Sequence, residues 1–250
     1  MPRMKPDETR STTARAFSVL DALADAPRGT LSLSEIAAEA MLPVPTAFRY
    51  VRELLDWGGI ERTDDGRYRL GMHLWQIGTR ARWDRTVRQL CLPALEQLTR
   101  ATGFGACVMA TRSGRVVTLE RRWGAVRSLW INPVGQEIPL AVSTAGLLSI
   151  ASTDQRIESH LAGVPARQMA SAERVLGEAR SRGFAVGTGL MREDQGAISV
   201  PVPGEFAAEL ALTLIFPAGR TDPEAHVEQL RLAAATLAVA IRRGLATAAT

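Results

Sequence analysis

Lysine is almost absent from this 250-residue chain. Lys5 is the only one, so nearly all the basic charge is arginine and a catalytic lysine would have to sit in the amino-terminal tail. Cysteine is scarce as well. Cys91 and Cys107 form no C-x-x-C pair and have no histidine nearby, which excludes a disulfide framework and leaves no metal-ligand spacing; both read as small buried hydrophobes. His73, His160 and His226 are scattered, with no Cys, Asp or Glu at ligand spacing. H-E-x-x-H, G-x-S-x-G and P-loop patterns are missing, and Gly187-Thr188-Gly189 begins a G-x-G whose third glycine is replaced by Arg192. The expectation is therefore no enzyme, no metal and no cofactor. No run of some twenty apolar residues occurs, so no conventional membrane-spanning helix is expected. Met1 to Thr13 is polar with both charge signs, unlike a signal peptide, and the cytoplasm is the expected location.

What is present is length enough for two domains and a formal net charge of only +4. Residues 1–85 hold 13 basic against 12 acidic side chains, so any nucleic-acid affinity must come from where the arginines sit. Ala16, Val19, Leu20, Leu23 and Ala24 recur at helical spacing and predict an amphipathic helix from Thr12 to Asp25, ended by Pro27-Arg28-Gly29. Ser32 with Glu35 is a capping-box pattern opening a second, short helix with Leu33, Ile36, Ala37 and Ala40 on one stripe. After Met41-Leu42-Pro43-Val44, Pro45 suits a first helical turn and Gly58 suits a stop, which marks out a third helix. Its apolar side is expected to be Phe48, Val51, Leu54 and Leu55, and its open side Thr46, Arg49, Tyr50 and Glu53, with Arg52 flanking.

Two short helices joined so tightly form a helix-turn-helix, in which the second helix enters the DNA major groove. Ile60-Glu61-Arg62 and Arg67-Tyr68-Arg69-Leu70 alternate around Thr63-Asp64-Asp65-Gly66, a hairpin signal that completes a winged helix-turn-helix. Thr46, Arg49 and Tyr50 are the expected base or phosphate contacts, Arg52 a backbone contact, and Arg67 and Arg69 the wing contacts. A plain amphipathic helix with a solvated polar side remains the alternative for the third helix taken alone.

Met72 to Leu90 reads as a helix leaving the wing and carrying Trp75, Ile77, Trp83 and Val87 among arginines, with a basic surface helix as the open alternative to a linker. Beyond it the pattern alternates. Helices are expected at Pro93 to Thr102, Thr144 to Ser152 (capped by Ser143), Ala172 to Arg182 and Pro223 to Ala248. Strands are expected at Ala106 to Thr111, Val116 to Arg122, Arg127 to Ile131, Phe184 to Val186, Ala197 to Val202 and Ala208 to Phe216. The fold class is α+β: a winged helix-turn-helix over residues 10–71, a linker helix over 72–90 and a second domain over 91–250.

The chain resembles the IclR family of bacterial transcriptional regulators. The resemblance lies in Ala14-Arg15-Ala16 with Val19-Leu20, Leu33-Ser34-Glu35-Ile36-Ala37, Leu42-Pro43, Thr46-Ala47-Phe48-Arg49, Leu54-Leu55, Gly58, Gly66-Arg67-Tyr68-Arg69-Leu70-Gly71 and Leu74 to Gly78. Two places depart from it: the family usually has Gly where Met41 stands and a polar pair where Val44-Pro45 stands. The resemblance implies a GAF-like effector-binding domain, double-stranded DNA with a palindromic operator as partner, and self-association as a homodimer or dimer of dimers. It also implies a linker helix that helps pair two chains, and repression controlled by a small-molecule effector.

By the same resemblance Ser143-Thr144-Ala145-Gly146 is the helix start that lines the effector pocket, where free N–H groups suit a carboxylate. The family's polar pocket positions fall at Gly187, Ala197, Thr213 and Ile215, of which only Thr213 keeps a hydroxyl, and Trp130 and Ile138 match apolar lining positions. A largely apolar carboxylic acid, aromatic or alicyclic, is the expected effector. Two alternatives stay open. The pocket could be filled by its own side chains, or the chain could be a small-molecule sensor whose first domain mediates protein interaction.

Overall fold

A computed structural model describes residues 10–80, 85–112, 114–126, 131–153, 164, 166–204, 209–219 and 222–248. The chain divides into two compact units, Met1–Asp84 and Arg85–Thr250.

In the first unit, α1 (Thr12–Ala24) starts on Ser11, whose side chain accepts from the Ala14 N–H, and buries Val19, Ala22 and Leu23. The capping box forms at α2 (Leu33–Glu39): Ser32 N–H donates to Glu35 at 2.7 Å and Glu35 N–H to the Ser32 hydroxyl at 3.3 Å. That helix ends with Leu42 N–H on Ala37 C=O and Met41 N–H on Ala38 C=O, a Schellman pattern that places Met41 at φ 54°, in the left-handed region where glycine is preferred. Helix α3 (Val44–Asp56) closes the same way on Gly58, at φ 78°.

The wing pairs β1 (Ile60–Arg62) with β2 (Tyr68–Leu70), and Leu31 adds a bridge to Tyr68. Gly71 begins α4 (Met72–Gly78); a Cβ there would stand 2.3 Å from the Gly58 carbonyl oxygen, so only glycine fits. The expected single helix over residues 72–90 is instead two: α4 ends at Gly78, and α5 (Arg85–Thr102) belongs to the second unit. Pro93 does not start a helix, as its sequence context suggests, but lies inside α5.

The second unit is built on a six-stranded antiparallel sheet, in the order β5 (Glu137–Pro139), β4 (Arg115–Arg122), β3 (Gly105–Arg112), β8 (Leu210–Pro217), β7 (Gln195–Pro201), β6 (Ala185–Thr188). Helix α5 packs with α8 (Val227–Ala248) against the sheet, and α6 (Thr144–Ser152) packs with α7 (Ala166–Arg182) against it as a separate pair. The strands alternate accordingly: Cys107, Met109, Val116, Ala211 and Ile215 join the core of α6 and α7, while Val108, Leu212 and Leu214 turn the other way. Of the strand expected at Arg127 to Ile131, residues 127–130 lie outside the described residues and Ile131 is in no strand; the edge strand is Glu137–Pro139. Among the described residues, no helix is long and apolar enough to cross a membrane.

Candidate functional sites: a helix face and a cavity

Helix α3 buries Ala47, Tyr50, Val51 and Leu54, at i, i+3, i+4 and i+7, against α1, α2 and the wing. Its outer side carries Phe48, Arg49, Arg52, Glu53 and Asp56, which line a shallow surface groove. The expected faces are thus turned by about one residue. Tyr50, expected among the open contacts, is 1% exposed and part of the core. Phe48, expected inside, is 46% exposed. A tyrosine can do this because its ring packs like phenylalanine while its hydroxyl finds a polar partner, here Arg49 Nη2 at 3.1 Å, with the guanidinium 4.9 Å from the ring centre. Arg49 also leans toward Glu53 at 4.0 Å. Arg52 is exposed and, among the described residues, has no carboxylate partner. Thr46 is half-buried in the first turn.

The wing arginines are engaged within the unit. Arg67 reaches back to α2, with Nη2 2.7 Å from Glu35 and 3.2 Å from Thr30 C=O, and Nε 3.2 Å from the Thr30 hydroxyl. Arg69 donates to one Glu61 oxygen from Nε at 3.0 Å and Nη2 at 2.9 Å, while the other oxygen accepts the Met72 N–H that opens α4. The Ser32 N–H and hydroxyl, then Arg67, hold Glu35 below the ordinary glutamate value; the Met72 N–H, then Arg69, do the same for Glu61. Both expected wing contacts thus already hold a carboxylate, Arg67 partly buried and Arg69 on the exposed surface. Arg62 is the wing cation left open, lying over the hairpin near Gly66 and 5.9 Å from the Tyr68 ring centre.

In the second unit a cavity of about 60 Å³ lies between the sheet, the amino end of α6 and the loop that carries Leu190, Met191 and Arg192. Thr144, Gly187, Ala197, Thr213 and Ile215, all expected site residues, line it. Antiparallel register brings three of them into one rung, Gly187 opposite Ala197 and Ala197 opposite Ile215. A Cβ on Gly187 would sit 3.3 Å from Thr144 Cγ2 and 2.6 Å from Leu190 Cδ1, so the glycine keeps that end open. Ile138 and Ala145 are core residues away from the lining, and Trp130 lies outside the described residues.

Ser143 caps α6, taking the Gly146 N–H on its side chain and the Leu147 N–H on its carbonyl. This leaves the Thr144 and Ala145 N–H groups, which a helix start cannot satisfy internally. Behind them runs a buried chain of hydroxyls: Thr144 to Ser199 at 2.7 Å and Ser199 to Thr213 at 2.8 Å. Three hydroxyls bring three protons and the two links use two. One proton is left over, on Thr144, Ser199 or Thr213, and the two threonines line the cavity. Burial pushes the thiols of Cys91 and Cys107 up to about 12, so neither is a nucleophile near neutral pH. Among the described residues no group of three or more His, Cys, Asp or Glu could hold a metal ion.

Residues 12–64, which span α1 to the wing, match the IclR helix-turn-helix domain. The second unit and the first together align with the crystal structure of an IclR homolog complexed with 4-hydroxybenzoate from Microbacterium hydrocarbonoxydans. The TM-score is 0.81 and the identity 26%, over 93% of this chain and 100% of that one. The first unit thus carries an IclR helix-turn-helix domain, and the chain is similar over most of its length to an IclR homolog. A second IclR structure, from Alicyclobacillus acidocaldarius, aligns with TM-score 0.72 and 25% identity over 91% of this chain and 97% of its own. The HTH-type transcriptional regulator TtgV of Pseudomonas putida is 29% identical over 150 residues, a match that spans 59% of this chain and 57% of that relative.

Several residues of this IclR-type chain that shape its sites carry no signal in the sequence. Asn132, Leu190, Met191, Arg192 and Gln195 line the cavity, and Ser199 carries the hydroxyl chain. Asn132 reads as a turn residue before Pro133, and Gln195 as the end of an acidic turn. Only their burial, at 3% and 8% exposed, shows otherwise.

Proposed function

We propose that this chain is a cytoplasmic DNA-binding transcriptional regulator, acting as a homodimer or dimer of dimers on a palindromic operator and releasing it when a small effector occupies the second unit. The observation that carries the reading is the outer face of α3, where Arg49 and Arg52 stand open on a winged helix-turn-helix. Arg49 would reach a base edge or phosphate, Arg52 and half-buried Thr46 the backbone, and Arg62 the phosphates beside the wing. Phe48 beside them can meet a thymine methyl group.

The effector fits a carboxylic acid with a ring. The Thr144 N–H at the amino end of α6 and the hydroxyls of Thr144 and Thr213 suit its carboxylate, and Met109, Val142, Leu190 and Ile215 suit its apolar part. That the Microbacterium homolog holds 4-hydroxybenzoate supports this class. A free volume of about 60 Å³ holds a few waters and is smaller than the roughly 150 Å³ cavity that takes benzene, so binding must move the walls. A ligand that requires a widened pocket distinguishes two states and can shift their balance.

The test is a binding isotherm on the duplex upstream of the chain's own gene. Arg49→Ala and Arg52→Ala are each expected to cost about 1–3 kcal/mol of binding; unchanged isotherms for both would remove α3 from the interface. A second reading, a sensor whose first unit binds another protein, is favoured by Met41, Val44 and Phe48, which are all more than 40% exposed around the same helix. Affinity that ignores salt would choose it.

A further inference from the structure

The outer stripe of α3 changes chemistry along its length. Val44, Pro45 and Phe48 stand exposed at its amino end, Arg49 and Arg52 follow, and Glu53 and Asp56 close it. A helix start ordinarily attracts phosphate through its free N–H groups, and this one has little to offer. Pro45 has no N–H, the Thr46 and Ala47 N–H groups both donate to Pro43 C=O at 2.9 Å, and no side chain caps the helix. The carboxyl end is no better suited, because Glu53 and Asp56 repel phosphate and the last turn holds no basic residue. On the second helix of a helix-turn-helix, that leaves the apolar amino end to meet base edges rather than backbone.

The side chains of Val44 and Phe48 neither donate nor accept a hydrogen bond. The apolar group that a base edge presents in the major groove is the thymine C5-methyl. Covering a polar edge with an apolar side chain strips its water and returns no hydrogen bond, whereas covering a methyl group is favourable. One helical turn, about 6 Å, separates the two residues, which is close to two base-pair steps of about 3.4 Å each. We infer that Val44 and Phe48 are specificity-determining residues that read two thymine methyl groups, about two base pairs apart, in each operator half-site. Arg49, next to Phe48 on the same groove, then meets the neighbouring step. The inference rests on the DNA-binding reading above and adds to the contact of Phe48 a second reader and a spacing.

The experiment compares binding of the full chain to the duplex upstream of its own gene, synthesised once with thymine and once with uracil throughout. Uracil keeps the pairing, the O4 acceptor and the phosphate charge and lacks only the methyl group. The uracil duplex is expected to bind about tenfold more weakly, at roughly fourfold for each methyl group lost. Val44→Ala combined with Phe48→Ala should bring the thymine-to-uracil ratio toward one, whereas a merely structural defect weakens both duplexes equally. Equal affinity of the unaltered chain for the two duplexes overturns the inference and leaves the DNA-binding reading standing. So does a ratio that the double variant leaves unchanged, which would place the methyl effect in the stiffness of the duplex. Binding to neither duplex overturns both readings and favours a protein partner for the same surface. Should the double variant fail to fold, Phe48→Ala alone carries the comparison.

Discussion

In the first unit the groups assigned to recognition stand in water. Arg49 and Arg52 project from α3 into solvent, and the residues that fix the helix, Tyr50 and Val51, lie on the opposite side. The second unit reverses this arrangement. There Thr144, Ser199 and Thr213 are buried and bonded to one another, and Asn132 and Gln195 are buried with an atom each to spare. An exposed cation costs the fold almost nothing and acts through screened, long-range attraction; a buried polar atom is expensive to leave unpaired and therefore discriminates sharply. The two candidate sites thus rest on different physics.

Substitutions can break that contrast. The largest expected effect is on the inner side of α3: Tyr50→Ala should lower the stability of the first unit by about 3–5 kcal/mol in a denaturant melt, as loss of a core aromatic does. Phe48→Ala, two residues earlier but outside, should stay within about 0.5 kcal/mol in the same melt. If the two results were exchanged, the face assignment of α3 would be wrong.

Ser199→Ala comes next. It strands the hydroxyls of Thr144 and Thr213, both almost fully buried, and should cost the second unit about 1–3 kcal/mol by chemical denaturation, although no exposed serine would behave so. The smallest effect is a gain. Met41 holds a left-handed conformation that Gly58 holds at the end of the neighbouring helix, and its side chain is exposed, so Met41→Gly should raise stability by about 0.5–1 kcal/mol. A lower melting temperature would show that Met41 contributes contacts its exposure conceals.

These same residues show how far the sequence could be read. The capping box of Ser32 and Glu35, the Ser143 cap, the wing hairpin and most strands were legible because each is set by neighbours within a few positions. The stripe of α3 was not. Two aromatics two residues apart left the apolar face centred either way, and packing against α1 and the wing decided it. Arg67 and Arg69 read as open because their carboxylates, Glu35 and Glu61, lie 32 and 8 residues away. Family resemblance found five of the cavity residues, and register then placed three of them on one rung. Asn132 and Gln195, far apart in the sequence, carry no local signal; only the fold brings both to one wall.

The salt dependence of duplex binding tests the central claim most directly. Affinity of the full chain for the upstream fragment, measured from low to physiological salt and beyond, should fall linearly on logarithmic axes, and Arg52→Ala should reduce the slope by about one. Binding that does not change with salt, or a slope that Arg52→Ala leaves untouched, would contradict the account.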